Sequence, residues 1–129
     1  MTTLKDIAVE LKKRSKILIF CHNRPDGDTL GSAYALYYGL KEIGKLACVI
    51  CPDVIPQKYD YFVRVTDHIK RENATVIAVD VADKVLLGDL CEEFGDIVDL
   101  NIDHHISNTK YAKMLYLDAN ASATCESIY

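Results

Sequence analysis

The sequence has no excess of basic residues and no apolar run long enough to span a membrane. Its 129 residues include 15 Lys and Arg against 19 Asp and Glu, which gives a formal net charge of −4. A chain of this charge lacks the basic surface typical of proteins that bind long duplex nucleic acid. No apolar stretch approaches the roughly 20 residues of a membrane span. The N-terminal stretch MTTLKDIAVELKKRS contains acidic residues, unlike a signal peptide. We therefore expect a cytoplasmic protein without a membrane partner.

The sequence also lacks internal repeats, low-complexity linkers and a disulfide pattern. Its length is typical of one domain, and its five cysteines are odd in number and irregularly spaced. A disulfide framework is therefore not expected. Cys48 and Cys51 form a CxxC motif inside the apolar run LACVIC. We interpret them as packed thiols of a buried strand, with a redox pair or a zinc pair as the alternative.

Short apolar runs alternate with helical patterns along the chain. The strands are predicted at KILIFC, LACVIC, TVIAV, IVDLNI and MLYLDA, and the helices at residues 3–14, 28–43, 84–94 and from 121 onward. Thr2 or Thr3 is the expected cap of the first helix, Gly44 the end of the second, and Gly88 a break or end in the third. Residues 52–74 are expected to form a loop with short helical turns. The alternation predicts an α/β fold, a doubly wound, Rossmann-like parallel sheet with helices on both faces.

Polar clusters follow three of these strands. The first contains His22, Asp26 and Asp28, the second Asp80 and Asp83, and the third Asp103, His104 and His105. Each cluster alone has a simpler explanation: a turn at PDGD, a helix N-cap at the second cluster, or a solvated strand end at DHH. Because parallel strands end at the same edge of a sheet, we expect the clusters to converge in one crevice. Carboxylates and imidazoles without thiolates favour manganese, magnesium or iron over zinc.

These clusters carry a resemblance to a known family. The segments HNRPDGDTLGS, IAVDVAD and NIDHHISN resemble, in this order, the first three motifs of the DHH phosphoesterase family, and ASATCESIY resembles the helix start that follows them. The resemblance spans about residues 15–129. Within the family, these motifs are most similar to those of the nucleases of short oligoribonucleotides that also hydrolyse 3′-phosphoadenosine 5′-phosphate. Manganese pyrophosphatases of the family typically carry threonine at the position of Gly27.

The resemblance implies a role for each site residue. His22 and Asp26 would bind one manganese ion, and Asp28 and His104 would bind the second. Asp80 would bridge the two ions and take part in catalysis, and Asp103 would orient a ligand imidazole. His105 would be a catalytic imidazole that faces the substrate phosphate. The candidate phosphate contacts are Arg24, Ser107 and Asn108.

The implied function is a two-metal, manganese-dependent phosphoesterase, with Mg²⁺ or another divalent ion as the alternative cofactor. The expected substrates are short oligoribonucleotides, 3′-phosphoadenosine 5′-phosphate, or both. The alternatives are the same chemistry on pyrophosphate or cyclic dinucleotides, or a metal-binding domain without turnover. The family also has a fourth metal-ligating motif and a C-terminal substrate domain, and neither matches a segment of residues 1–129. We therefore expect an N-terminal catalytic domain that is incomplete at its C-terminal end, with weak or no activity of its own.

Overall fold

The structure, a computed structural model, describes residues 2–129 and contains a five-stranded parallel sheet. Its strands are β1 (Lys16–Phe20), β2 (Leu46–Ile50), β3 (Thr75–Val79), β4 (Leu100–Asp103) and β5 (Met114–Leu117). They lie in the order β2-β1-β3-β4-β5, and each neighbouring pair is parallel. The α/β prediction is therefore confirmed.

Helices cover the two faces of the sheet unequally. The α-helices are α1 (Leu4–Lys13), α2 (Gly27–Glu42), α3 (Cys91–Phe94) and α4 (Thr124–Ile128), and 3-10 turns occupy Gln57–Tyr59 and Lys84–Leu90. The first two α-helices pack on one face and α4 packs against α2. The other face is covered by the 3-10 segment Lys84–Leu90 and by α3. Among the described residues, no helix has the length and apolar character needed to cross a bilayer.

The continuous apolar run of β1 contributes side chains to the hydrophobic cores on both faces of the sheet. Alternate side chains of a strand point to opposite faces of the sheet. Ile17 and Ile19 pack in the cluster that contains Ile7 of α1, whereas Leu18 and Phe20 pack in the cluster on the other face. All four side chains are at most 2% exposed. A strand with this pattern is typical of a parallel sheet that is buried on both sides.

The helix ends agree closely with the sequence. Thr3 caps α1 through a capping box with Asp6. The second helix is followed by Gly44, whose positive φ of 79° is the conformation that glycine commonly supplies after a helix. The third predicted helix is different: residues 84–94 form 3-10 turns interrupted at Gly88 and then a single α-helical turn. Gly88 has φ 59° and ψ −131°, which no residue of a helix adopts.

The two cysteines of the CxxC motif lie on opposite faces of the sheet. Cys48 packs against the cluster that contains Phe20, and Cys51 packs against the cluster that contains Ile19. Because their side chains point to opposite sides, they do not form a common redox or zinc site. All five cysteines are free thiols. The structure therefore supports packed thiols.

The outer edge of β2 is covered by residues of the long loop that follows it. The backbone N–H of Ala47 donates to the carboxylate of Asp67, and the N–H of Asp67 donates back to the carbonyl of Ala47, both at 3.0 Å. Two residues later, the N–H of Val49 donates to the hydroxyl of Thr66 at 3.1 Å. These bonds occupy donors that an edge strand would otherwise leave open to pairing with another chain.

Candidate metal centre

The three polar clusters meet at the carboxyl edge of the sheet. In the observed strand order, the chain goes outward from β1 to β2 and then returns to place β3 on the other side of β1. Such a reversal leaves a crevice beyond the strand ends, which is where open α/β sheets bind ligands. The loop after β1, the residue after β3 and the end of β4 all contribute side chains to this crevice.

Asp80 lies at the centre of the site. It directly follows β3, is 2% exposed, and has a positive φ of 61° that is uncommon for a residue with a side chain. Its backbone N–H donates to the carbonyl of Ile102 at 2.9 Å, which ties it to β4. Its two carboxylate oxygens face different partners: Oδ2 lies 3.6 Å from Nε2 of His22, and Oδ1 lies 3.5 Å from Nε2 of His104.

The first group of potential ligands consists of His22, Asp26 and Asp80. One donor atom from each lies within 4.8 Å of the others, close enough for one ion to contact all three. Asp26 is the N-cap of α2 and accepts the backbone N–H of Thr29 at 3.0 Å. The same Oδ1 atom lies 3.6 Å from Nε2 of His22. Helix capping and metal ligation are therefore compatible at Asp26, because a carboxylate oxygen has more than one lone pair.

The second group consists of Asp80, His104 and His105, again with donor atoms within 4.8 Å of one another. Asp28 joins it from α2, because its Oδ2 atom lies 3.5 Å from Nε2 of His104. Asp80 thus belongs to both groups, and the predicted metal ligands are brought together. The donors are oxygen and imidazole nitrogen without thiolate, a set that suits manganese or magnesium.

His105 differs from His104 in the way its ring is held. Its Nδ1 atom is hydrogen-bonded to Oδ1 of Asp103 at 2.7 Å. Asp103 has a fully buried side chain, and its other oxygen accepts the amide of Asn108 at 2.9 Å. We expected Asp103 beside a metal-ligating imidazole, but the carboxylate contacts the imidazole that was predicted to face the substrate.

Electrostatic interactions in the site favour a positive charge at its centre. The hydrogen bond to Asp80 is the main cause that raises the pKa of His22 to about 9. Burial raises the pKa of Asp80, because it disfavours the charged carboxylate. Burial opposes charge on His105, but the hydrogen bond to Asp103 and the nearby carboxylates outweigh it and raise the pKa of this imidazole. A divalent cation satisfies the same carboxylates and takes the place of the imidazole proton.

A cavity of about 480 Å³ opens beside the first ligand group. Its lining residues are His22, Asn23, Arg24, Asp80, Ala82, Leu86, His105 and Ser107. Arg24 has a positive φ of 48°, and its backbone N–H donates to the carboxylate of Asp53 at 2.7 Å, so the loop is anchored next to the cavity. Two of the three predicted phosphate contacts, Arg24 and Ser107, therefore line this cavity.

Asn108, the third predicted phosphate contact, has a different environment. It is 8% exposed, and its amide nitrogen donates to Asn101 and Asp103 while its oxygen accepts the backbone N–H of Lys110. These bonds leave its side chain committed to supporting β4 and Asp103. A direct contact with phosphate is therefore not supported at this position.

A larger cavity, of about 830 Å³, lies at the opposite end of the sheet. Its charged residues largely pair with one another: Arg71 with Glu93 at 2.9 Å, and Lys113 with Asp99 at 3.2 Å. These pairs leave little net charge to attract a phosphate. The potential metal ligands lie at the other edge of the sheet.

Two threonines at the site were not predicted from the sequence. Thr29 in the first turn of α2 accepts the backbone N–H of His22 and donates to the carbonyl of Val79 at the end of β3. Thr124 at the start of α4 donates its hydroxyl to Asp80. Both are completely buried, so their hydroxyls needed internal partners. Their position in the first turns of helices that follow strands was the available signal.

Comparisons with known proteins identify relatives of this chain. Curated relatives include the bifunctional oligoribonuclease and PAP phosphatase NrnA of Thermus thermophilus, 30% identical over 120 residues that cover 87% of this chain and 35% of the relative. Another is the probable bifunctional oligoribonuclease and PAP phosphatase NrnA of Streptococcus mutans, 28% identical over 99% of this chain and 42% of the relative. A probable manganese-dependent inorganic pyrophosphatase of Enterococcus faecalis is 33% identical over 81% of this chain and 36% of the relative.

A solved structure shares the fold. An exopolyphosphatase-related protein from Bacteroides fragilis superposes with a TM-score of 0.82 at 21% sequence identity, covering 98% of this chain and 41% of the other. The chain thus spans between 35% and 42% of the length of the relatives described here. The sequence model described as the DHH family, N-terminal domain, matches residues 16–129. The chain therefore belongs to the DHH family and carries its N-terminal domain.

Proposed function

We propose that this domain is the catalytic part of a two-metal, manganese-dependent phosphoesterase acting on short oligoribonucleotides and on 3′-phosphoadenosine 5′-phosphate. The observation that supports the proposal best is the carboxylate of Asp80, whose two oxygens face different groups of potential ligands. A buried carboxylate shared in this way is well suited to bridge two cations. Substrates and partners are proposed for the whole protein that contains this domain.

Each ion has a proposed set of ligands. His22 and Asp26 hold one ion, Asp28 and His104 hold the other, and Asp80 contacts both. When bound, such a pair of ions supplies Lewis-acid activation of water and neutralises charge on the phosphoryl oxygens. The chain contributes fixed orientation, because helix α2 and strands β3 and β4 hold the ligands before any ion is bound.

His105 is proposed to act on the substrate and not as a ligand. Its Nδ1 atom is already engaged by Asp103, so that Nε2 is the ring nitrogen available to the substrate. The raised pKa of His105 shifts its protonation equilibrium toward the charged imidazolium, which carries a proton on Nε2. A proton on Nε2 can therefore be donated to the leaving oxygen or stabilise charge on the phosphate.

The cavity beside the ions supports a nucleotide as substrate. Its volume of about 480 Å³ lies within the range of sites that bind organic ligands. Arg24 and Ser107 offer donors to a phosphate, while Ala82 and Leu86 offer apolar surface to a nucleoside. The names of the relatives from Thermus thermophilus and Streptococcus mutans support the same substrate class.

Pyrophosphate is the second candidate substrate. It is favoured by one observation, the similarity to the probable manganese-dependent inorganic pyrophosphatase of Enterococcus faecalis. Pyrophosphate is small and has no apolar part, so it would leave the Ala82 and Leu86 side of the cavity without a contact.

The test is hydrolysis by the complete gene product, with and without manganese, of an RNA length series, 3′-phosphoadenosine 5′-phosphate, pyrophosphate and a cyclic dinucleotide. We expect RNA of a few residues to be degraded faster than long RNA. A rate that rises with RNA length, or a strong preference for pyrophosphate, would contradict the proposal. Metal binding without turnover of any substrate would support a non-catalytic domain.

A variant of His105 tests the proposed mechanism. His105→Ala should slow turnover by about 10²–10⁴-fold, the contribution typical of a general acid, while manganese binding stays near that of the parent. Metal content by elemental analysis is the control. Loss of the metal together with the activity would show instead that His105 is a ligand.

A further inference from the structure

Thr124 contacts both of the acidic residues proposed to hold the second ion. Its hydroxyl donates to Oδ1 of Asp80 at 2.9 Å, and its backbone N–H donates to Oδ2 of Asp28 at 2.9 Å. The two acids lie 44 and 96 residues away in the sequence. The start of α4 therefore connects α2 with the end of β3 at the centre of the site.

Helix capping does not explain the hydroxyl of Thr124. The N-cap of α4 is Ala123, and the cap position makes no side-chain hydrogen bond. Thr124 is the first residue of the helix and is completely buried. A valine would fill the same volume, so packing alone does not require a hydroxyl. What the hydroxyl adds is a donor to a buried carboxylate, and hydrogen bonds to a charged acceptor are stronger than neutral ones.

At Asp28, the same helix start leaves one oxygen for an ion. Oδ1 accepts the backbone N–H of Cys125 at 2.9 Å and the hydroxyl of Ser32 at 3.3 Å, which uses its two lone pairs. Oδ2 accepts only the N–H of Thr124 and lies 3.5 Å from Nε2 of His104. Asp28 is thereby prepared to contact an ion through Oδ2 alone.

At Asp80, the hydroxyl fixes the rotation of the carboxylate. Oδ1 receives the hydroxyl of Thr124 on the side of His104, and Oδ2 remains directed at His22. A rotation about the Cβ–Cγ bond of Asp80 would break this hydrogen bond. It would also move Oδ1 away from His104 and Oδ2 away from His22. Groups that support metal ligands in this way typically change metal affinity by about 10–100-fold when they are removed.

We propose that Thr124 is a positioning residue, which holds Asp80 as the bridging carboxylate and Asp28 as a one-oxygen ligand of the second ion. This inference rests on the proposed two-metal function. It assigns a task to the segment ASATCESIY, whose threonine makes no contact with the cavity beside the ions. The packing of α4 against α2 brings Thr124 to the site.

The experiment compares Thr124→Val, which loses only the hydroxyl bond, with Thr124→Ser, which keeps it. Thr75→Val is the matched control, because Thr75 is also buried but lies at the opposite end of β3. Manganese binding to the chain is measured by titration calorimetry and by electron paramagnetic resonance, which distinguishes a coupled pair of ions from isolated ions. Circular dichroism checks that each variant is folded.

We expect Thr124→Val to lose the coupled signal and to bind the second ion about 10–100-fold more weakly. Thr124→Ser and Thr75→Val should remain close to the parent. If the valine variant does not fold, Thr124→Ala provides the same loss of hydroxyl. A coupled signal of parent strength in the variants without the hydroxyl overturns the role of Thr124 alone. A parent chain that shows no paired manganese overturns both this inference and the proposed metal centre.

Discussion

Asp80 and Asp83 are separated by three positions but have different environments. Asp80 is 2% exposed and lies between two imidazoles, at 3.6 Å from His22 and 3.5 Å from His104. Asp83 is the N-cap of a 3-10 turn, and its carboxylate accepts the backbone N–H of Val85 at 3.1 Å. The same residue type therefore lies among potential metal ligands at one position and caps a turn at the other.

This difference predicts opposite effects of the same substitution. Asp80→Ala should reduce manganese affinity by at least about 10–100-fold, the range already seen when only a supporting group is removed. Asp83→Ala should leave manganese binding unchanged and cost about 1 kcal/mol of the free energy of unfolding, as the loss of a cap does. Elemental analysis of the dialysed proteins and urea unfolding measure the two effects. Equal metal content in both variants would contradict the assignment of Asp80.

At the scale of elements, Gly88 determines how the segment after β3 crosses the sheet face. It separates two 3-10 turns at φ 59° and ψ −131°, a backbone conformation that is accessible to glycine and strained for other residues. The break lets Leu87 be completely buried while the chain continues into α3. The backbone N–H of Asn23 donates to the carbonyl of Leu86, so this segment also supports the loop after β1.

Gly88→Ala should therefore destabilise the domain by about 1–3 kcal/mol through backbone strain. Its Cβ would meet Pro52 and Asn23 only at ordinary contact distances of 3.5 and 3.6 Å, so strain and not collision is the cause. Gly39→Ala is the matched control, since Gly39 lies inside α2 and its added Cβ would meet nothing within 4 Å. The free energy of unfolding of this control should be about 0.5–1 kcal/mol higher than that of the parent. Midpoints of urea unfolding give both values, and equal destabilisation would refute the argument.

Asp67, which covers the edge of β2, should make the stability of the fold depend on pH. The hydrogen bond from Lys41 and that from the backbone of Ala47 lower the pKa of Asp67 from its ordinary 3.8. An acid with a lowered pKa in the folded state stabilises the fold above its unfolded pKa, and this stabilisation is lost as the pH falls through the folded pKa. The loss should therefore occur below about pH 3.8.

Asp67→Asn tests this assignment. At neutral pH, the variant should be less stable by about 1 kcal/mol or less, because the ion pair with Lys41 is partly exposed and therefore screened by solvent. Below pH 3.8, the difference between parent and variant should shrink. The measurement is urea unfolding at a series of pH values. A difference that is constant with pH, or one that grows in acid, would show that the carboxylate charge is not what holds the loop to β2.

The whole molecule carries a formal net charge of −4, and three of its carboxylates converge on the candidate metal centre. Without a cation, these acids repel one another at the edge of the sheet. An ion that binds the folded chain and not the unfolded chain stabilises the fold by mass action. The site should therefore be visible in the stability of the entire domain.

Manganese at about 100 times its dissociation constant should stabilise the chain by about 2.7 kcal/mol. For a domain of this size, this raises Tm by on the order of 10 °C. Chelation should reverse the shift, and calcium should produce a smaller one because imidazole is a poor calcium ligand. Calorimetry of the parent and of Asp80→Ala provides the measurement. A shift of equal size in Asp80→Ala would place the stabilising ion elsewhere.

Local patterns were sufficient to predict the sheet and the location of the site. The apolar runs KILIF and TVIAV are strands because their side chains are buried on both faces, and His22, Asp80 and His104 follow strands that end at one edge. Convergence of these residues follows from parallel pairing alone, since parallel strands have their carboxyl ends on the same side. The helix ends at Thr3 and Gly44 were predictable for a similar reason, because caps depend on near neighbours.

Only the tertiary structure decided which groups contact one another inside the site. Asp103 contacts His105 and not His104, Asn108 is committed to Asp103, and the hydroxyl of Thr124 reaches Asp80 across 44 residues. These contacts depend on the order of the strands and on how α4 packs against α2, neither of which has a local signature. Sequence periodicity specifies which residues face a core, whereas the partner of a buried polar group is set by elements distant in the chain, because that group must find its hydrogen bond wherever packing places one.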